Sequence, residues 1–369
     1  MPISASTEVF VHIGLPKTGT SYLQAIAWPG RAELRDAGLL LPGARKSDHL
    51  FASMIVRDDP GVARRGPDAP QAWDRILADI ADWDGNALIS HEFFCAASAD
   101  QAQRMVGQLA PAEVHVVVTA RDPLGLLTSS WQESLKNKST TPLADYGRTE
   151  SDDPRDVWDW RSLDLGLVLQ RWAPAVAPER LHLITPTPAG SGREVLWERF
   201  AGVLGIEPDT CDTSRGFANS SMGLIEAETL RRVNERLKGF NNARARGVWL
   251  RSFLADERLV PRGGEPFWPA SDQVEDARRR GARAVELVRA AAYDVVGDVD
   301  LLLVPDDLPP RRNPQSVTDT EVADVALDLV ATLLGDLQRR TDRKPSSSGP
   351  PPTPPPTRLA RLRQAIRGV

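Results

Sequence analysis

The sequence predicts an α/β fold of three layers, a central mainly parallel sheet flanked by helices. Three observations carry that prediction. Short apolar segments rich in β-branched residues alternate with segments of helical period along most of the chain, the pattern of repeated strand–helix–strand units. The first strand runs through a glycine-flanked turn straight into a helix start. The 369 residues, 41% of them hydrophobic, can bury a sizeable core as one large domain or two smaller ones. One domain over 1–340, followed by a tail, is the expected organisation.

In chain order, strands are expected at 8–14, 38–41, 87–90, 114–120, 181–185 and 301–304. Helical patterns fall at 19–28, 31–37, 71–82, 99–109, 124–136, 163–173, 193–204, 223–237, 272–292 and 319–339. Val9, Val11 and Ile13 are β-branched within an apolar run and read as a buried parallel strand, and Thr20 and Ser21 supply hydroxyls for the helix that follows. The run Val114 to Ala120 ends at Arg121, with Pro123 near a helix start. Ala87 to Phe94 reads as a short strand whose end offers His91 and Glu92, where open α/β sheets place their sites. Asn219-Ser-Ser221 reads as an N-cap for the helix from Leu224 to Leu237. Strand order is not readable from this pattern.

The turn Gly14-Leu-Pro16-Lys17-Thr18-Gly19-Thr20-Ser21 is an anion cradle by construction. The first N–H groups of a helix have no intrahelical partner, and the helix dipole is positive there. An ordinary P-loop follows its second glycine with lysine; here Gly14 and Gly19 keep the spacing but Thr20 stands in that place. The lysine, Lys17, lies inside the loop. A kinase also needs an acidic residue beyond a neighbouring strand to hold Mg²⁺. The best such strand ends in Arg121, with Asp122 after it, so a metal site is disfavoured.

Pro16-Lys17-Thr18-Gly19-Thr20-Ser21 resembles the 5′-phosphosulfate loop of sulfotransferases that use PAPS (3′-phosphoadenosine 5′-phosphosulfate), bacterial-type members in particular. Arg121, Pro123 and Ser129 are similar in spacing to that family's 3′-phosphate site, with Ser130 as an adjacent alternative. A guanidinium fork and a hydroxyl suit a ribose phosphate dianion. The resemblance covers roughly 8–235, its sharp motifs lying in the first 135 residues. It implies a P-loop-like fold, PAPS as donor substrate, no required metal, and transfer to a hydroxyl or amine of a small-molecule, carbohydrate or lipid acceptor. Lys17 would neutralise the leaving oxygens. Ser90-x-Glu92 matches a pattern seen in bacterial-type members, so Glu92 is expected as the base, with His91 in reserve. A purely structural ion-pair role for Glu92 is the alternative. Ser220 and Ser221 are candidates for nucleotide contact, and 239–315, rich in Arg, Gly and Pro, for a variable lobe over the acceptor site. A P-loop small-molecule kinase and a non-catalytic nucleotide-binding interaction protein remain as competing readings.

Other residues are less pointed. His12 reads as a hydrogen-bonded core histidine, and His49 as a substrate-side residue after a loop. Trp158 and Trp160 read as packing residues first and as an acceptor-pocket floor second. Only Cys95 and Cys211 occur, so neither a disulfide framework nor a structural metal is indicated. A cytoplasmic location is expected, since no apolar run approaches the roughly 20 residues of a membrane span and Met1 to Thr7 lacks a charged signal start. A net charge of −5 argues against wholesale nucleic-acid binding. The Pro/Ser-rich stretch 341–357 is expected to be a disordered linker. Residues 358–369 then form a short basic amphipathic segment, suited to weak contact with an anionic membrane surface or an acidic partner, or else a soluble frayed tail. Oligomeric state is not legible.

Overall fold

A computed structural model of the chain describes residues 3–188, 190–216 and 221–342. Six strands, β1 (Glu8–Gly14), β2 (Leu39–Leu40), β3 (Asn86–Ser90), β4 (Glu113–Thr119), β5 (Leu181–Ile184) and β6 (Asp294–Val296), form one sheet in the order β2-β3-β1-β4-β5-β6. Every pairing is parallel. β1 lies between β3 and β4, with Val11 opposite Ile89 on one side and Val116 on the other. From β1 the chain crosses to the edge strand β2, returns through β3 beside β1 and then continues on the other side through β4, β5 and β6, so the C-terminal ends of β1, β3 and β4 form the topological switch point where such sheets open a crevice.

The helices are α1 (Thr20–Ala27), α2 (Arg31–Asp36), α3 (Ser47–Val56), α4 (Ala72–Ala81), α5 (Ala99–Leu109), α6 (Pro123–Lys136), α7 (Trp160–Leu163), α8 (Leu165–Trp172), α9 (Glu194–Val203), α10 (Leu224–Arg236), α11 (Ala243–Ala245), α12 (Ser271–Ala290) and α13 (Asp319–Asp342). Alternation along the strands divides the core between two faces. Val9, Val11 and Ile13 join Val116 of β4 and Ile76, Met105, Val168 and Val285 of α4, α5, α8 and α12. Phe10 points the other way, to Leu23, Ile26, Trp197 and Phe200 of α1 and α9. Burying each such side chain contributes roughly 1.5–3 kcal/mol, so a strand apolar on both sides is held by both helical layers.

One expectation fails, and one helix falls where none is expected. The run 301–304 is not a strand: Val299–Leu302 is a 3-10 turn, capped by Asp298, whose carboxylate accepts the Asp300 N–H. Leu302 and Val304 are buried there as loop anchors, while the edge strand is Asp294–Val296. A short apolar run does not distinguish these outcomes. α3 lies in a stretch to which the sequence pattern assigns no element, because its burial is spread around the helix rather than gathered in one stripe.

Within 239–315, Arg246–Leu259 continues α11 as a π-helical segment, and residues 271–296 supply α12 and β6. The chain divides into two compact units, Met1–Val322 and Ala323–Val369. Residues 343–369, holding most of the expected linker and basic segment, lie outside the described residues. Among the described residues no helix is long and apolar enough to cross a membrane.

Candidate active site

At the switch point opens a cavity of about 960 Å³ that gathers most of the residues singled out in the sequence. Pro16, Lys17, Gly19, Thr20 and Ser21 line it from the β1–α1 loop, Arg121 and Ser129 from the β4–α6 side, and Glu92 from the end of β3. Eight Lys or Arg and four Asp or Glu side chains face it, a net positive site in a chain of net charge −5.

The loop is shaped by its backbone. Gly14 and Gly19 take φ of 100° and 107°, and Lys17 itself sits at 65°, a left-handed conformation that residues with a Cβ seldom adopt. Gly14 has a second reason to lack a side chain: a Cβ there would lie 2.9 Å from Glu92 Cα. The cradle and the β3 end are therefore in backbone contact. No side chain caps α1, leaving its first N–H groups for a ligand, and the buried Thr20 hydroxyl has no hydrogen-bond partner. Free N–H groups and an unpartnered hydroxyl at a helix start are donors suited to an oxyanion.

Under the loop runs a buried polar network. His12 bonds Ser90 Oγ (2.8 Å) and Thr119 Oγ1 (3.1 Å), tying β1 to both neighbours. Thr18 Oγ1 bonds Thr119 Oγ1 (2.6 Å) and donates to the Leu15 carbonyl (2.6 Å), so Thr18 faces the scaffold while its neighbours line the cavity. Gln24 donates to the Ser90 carbonyl at 2.8 Å. Burial pushes the His12 pKa down to about 3, keeping it neutral. It is the core histidine expected. His49 departs from expectation: it is fully buried, accepts the Ser90 N–H (3.1 Å) and bonds the Pro42 carbonyl (2.8 Å), leaving no ring nitrogen for a substrate.

Arg121 Nη1 donates to Ser129 Oγ at 3.1 Å, so the fork and hydroxyl are already together. Ser130 is not an alternative; it is fully buried and bonds the Tyr146 hydroxyl at 2.6 Å. Asp122 caps α6, accepting the Gly125 N–H at 2.6 Å. The His91 ring accepts the Phe93 N–H (3.1 Å), and burial lowers its pKa; it lies behind Glu92 rather than on the cavity wall. Ser220 lies outside the described residues, while neighbouring Ser221 lines the cavity.

Sequence reading missed a polar stripe on α6. Ser129, Gln132, Glu133, Lys136 and Asn137 all face the cavity at helical spacing, while Leu127, Trp131 and Leu135 pack behind. The periodicity from Ser129 onward was the available signal. Glu133, 7% exposed, pairs with Lys17 at 3.1 Å and with Arg251 of the π-helical segment. Burial opposes its ionisation, but Arg251 and Lys17 prevail and bring its pKa to about 2. Lys136 pairs with Asp256 at 2.6 Å, a second link from α6 to that segment. The two tryptophans divide: Trp160 is core, donating to the Gly147 carbonyl at 2.7 Å, whereas Trp158 lines the cavity.

No protein-family model matches the chain, and no curated protein matches it. Among solved structures, it is similar to the crystal structure of a sulfotransferase from Alicyclobacillus acidocaldarius, at 19% identity over 57% of this chain and 86% of that one, with a TM-score of 0.41. It is also similar to the sulfotransferase domain from the curacin biosynthetic pathway, at 13% identity over 79% of this chain and 99% of that one, with a TM-score of 0.34.

Proposed function

We propose that this chain moves a sulfuryl group from PAPS to a hydroxyl or amine of an acceptor by in-line displacement. The observation that carries the reading is the convergence, in one net-positive cavity, of the Lys17 loop, the bonded Arg121–Ser129 pair and Glu92. The free N–H groups at the start of α1, with the Thr20 and Ser21 hydroxyls, hold the 5′-phosphate. Arg121 and Ser129 hold the 3′-phosphate.

The acceptor oxygen or nitrogen attacks sulfur as the bond from sulfur to the bridging phosphate oxygen breaks. Charge grows on the departing nucleotide, PAP, and Lys17 offsets it; such electrostatic positioning is typically the largest catalytic effect. Glu92 takes the acceptor's proton. It lines the cavity and is fixed against Gly14, which favours it over His91. A cytoplasmic location belongs to the same reading.

Calorimetry with PAP, compared with ATP plus Mg²⁺, tests the donor half. Metal-independent PAP binding supports the proposal, and ATP/Mg²⁺ binding without PAP binding overturns it in favour of a kinase. Transfer of labelled sulfate from donor into a host extract, lost in Lys17→Ala and Glu92→Ala, tests catalysis. Absence of transfer by the wild type to any extract fraction would favour a non-catalytic binding protein.

A further inference from the structure

Beyond Glu92 the cavity wall is made of different residues, none of which the donor reading uses. Phe93 follows Glu92 directly and meets the Trp158 ring edge-on, with centroids 5.5 Å apart and planes at 83°. Arg57, at the C-terminal end of α3, lies 5.9 Å from the Phe93 ring centroid. Met54, one turn earlier on α3, together with Arg65 and Arg155, completes this end. It is contiguous with Glu92, so it faces the acceptor.

Arg57 is the unusual member. It is 3% exposed, yet among the described residues no carboxylate lies within ion-pair distance of its guanidinium. Its Nε donates to the Ser53 carbonyl of α3 (3.0 Å) and its Nη1 to the Pro154 carbonyl (2.7 Å), so two neutral acceptors, one on its own helix and one on a loop, hold it in place. The nearby carboxylates act on it only through space: Asp59 shares the cavity wall and accepts the Gly61 N–H at 2.8 Å, and Asp153 is bound by Arg155 through Nε at 2.8 Å. Burial lowers the pKa of Arg57, outweighing the opposing pull of the Asp59 carboxylate. Such a charge is costly unless something anionic meets it. Arg65 on the exposed rim has no acidic partner among the described residues, which adds a second uncompensated cation.

We propose that the acceptor is itself an anion, its carboxylate or sulfate-ester group seated on Arg57 and its ring or alkyl body lying against Phe93 and Trp158. The inference rests on the reading of Glu92 as the acceptor's base. It narrows the acceptor class from any hydroxyl or amine compound to acidic ones. A cation–aromatic platform of this kind holds a charged head and an apolar body at once.

The test uses the full chain saturated with PAP and three phenols: 3-(4-hydroxyphenyl)propanoate, 3-(4-hydroxyphenyl)propyl sulfate and the neutral 3-(4-hydroxyphenyl)propan-1-ol. At least one anion is expected to bind about tenfold or more tightly than the neutral probe, since hydrogen bonds to charged groups contribute that much. Which anion binds better separates a carboxylate acceptor from a sulfated one. Arg57→Gln removes the preference, Arg57→Lys keeps part of it, and the rim variant Arg65→Ala weakens it about two- to threefold, the size of an exposed pair. PAP affinity stays at the wild-type value throughout, which also reports that each variant is folded. Equal binding of all three probes, binding of none while PAP binds, or a preference that survives in folded Arg57→Gln would overturn the proposal. Failure of PAP to bind would be seen before any probe is added and would overturn the donor reading instead; titration without PAP then decides the Arg57 site alone.

Discussion

Beneath Lys17 the cavity rests on buried hydrogen bonds between strands, whereas beneath Arg57 it rests on long side chains reaching to loop carbonyls. The first region is built from backbone geometry: positive-φ residues at 14, 17 and 19, an uncapped helix, and the His12–Ser90–Thr119 network. The second draws on α3, the 3-10 turn Pro60–Arg65, the segment after β3 and the loop before α7. On the proposed reading, a nucleotide is the same ligand in every cycle and suits a preformed cradle. An acceptor is recognised by whatever charge and shape the surrounding loops present. Mutations should therefore behave differently at the two ends.

The sharpest contrast is chemical. Glu92→Gln is expected to lower kcat by about 10²–10⁴, the range of general-base catalysis, while His91→Gln stays within about tenfold because its ring caps Phe93 and approaches Glu92 Oε2 at 3.8 Å without lining the cavity. Steady-state rates with labelled donor check both, and equal losses would return the base to His91. Next in size, Arg121→Ala should weaken PAP binding about 10- to 100-fold by calorimetry, with acceptor affinity unchanged. Loss of acceptor binding as well would blur the division between the two ends.

Gly14→Ala probes the backbone contact itself. At φ of 100°, with Glu92 Cα 2.9 Å from the new Cβ, it should cost about 2–3 kcal/mol in urea unfolding and reduce activity together with stability. The smallest effect belongs to Glu133. Its pKa of about 2 lies below the ordinary 4.5, so its stabilisation is complete above about 4.5 and disappears as pH falls through about 2. Discounted for the partial exposure of Lys17 and Arg251, this amounts to about 1–2 kcal/mol. Acid titration of unfolding free energy should show a shallower slope in Glu133→Gln.

The same contrast explains what the sequence made legible. Local rules wrote the donor end: β-branched alternation set β1, glycine spacing set the turn, and Arg121, Pro123 and Ser129 sit on one strand–helix junction. Five of the six strands follow from apolar runs for the same reason. The acceptor end joins residues some 100 positions apart, such as Arg57 and Pro154, through contacts that no local pattern encodes. His49 was misread because its surroundings, a buried carbonyl and a buried N–H, are tertiary. Glu133 was readable in principle from the α6 stripe, but its partner Arg251 lies in a π-helical segment that has no periodicity of 3.6.

The contact between Gly14 and Glu92 bears on how such a protein changes over time. Because main chain abuts main chain there, the separation between the cradle and the backbone that carries Glu92 is set without help from the residues of 50–65 or 153–158. Substitutions in 50–65 or 153–158 can redraw the recognising wall while the reacting geometry keeps its register. If the proposed function holds, the molecule is in this sense modular at the scale of one cavity: a lineage, or a designer, can exchange acceptors by editing loops and leave the transfer step alone.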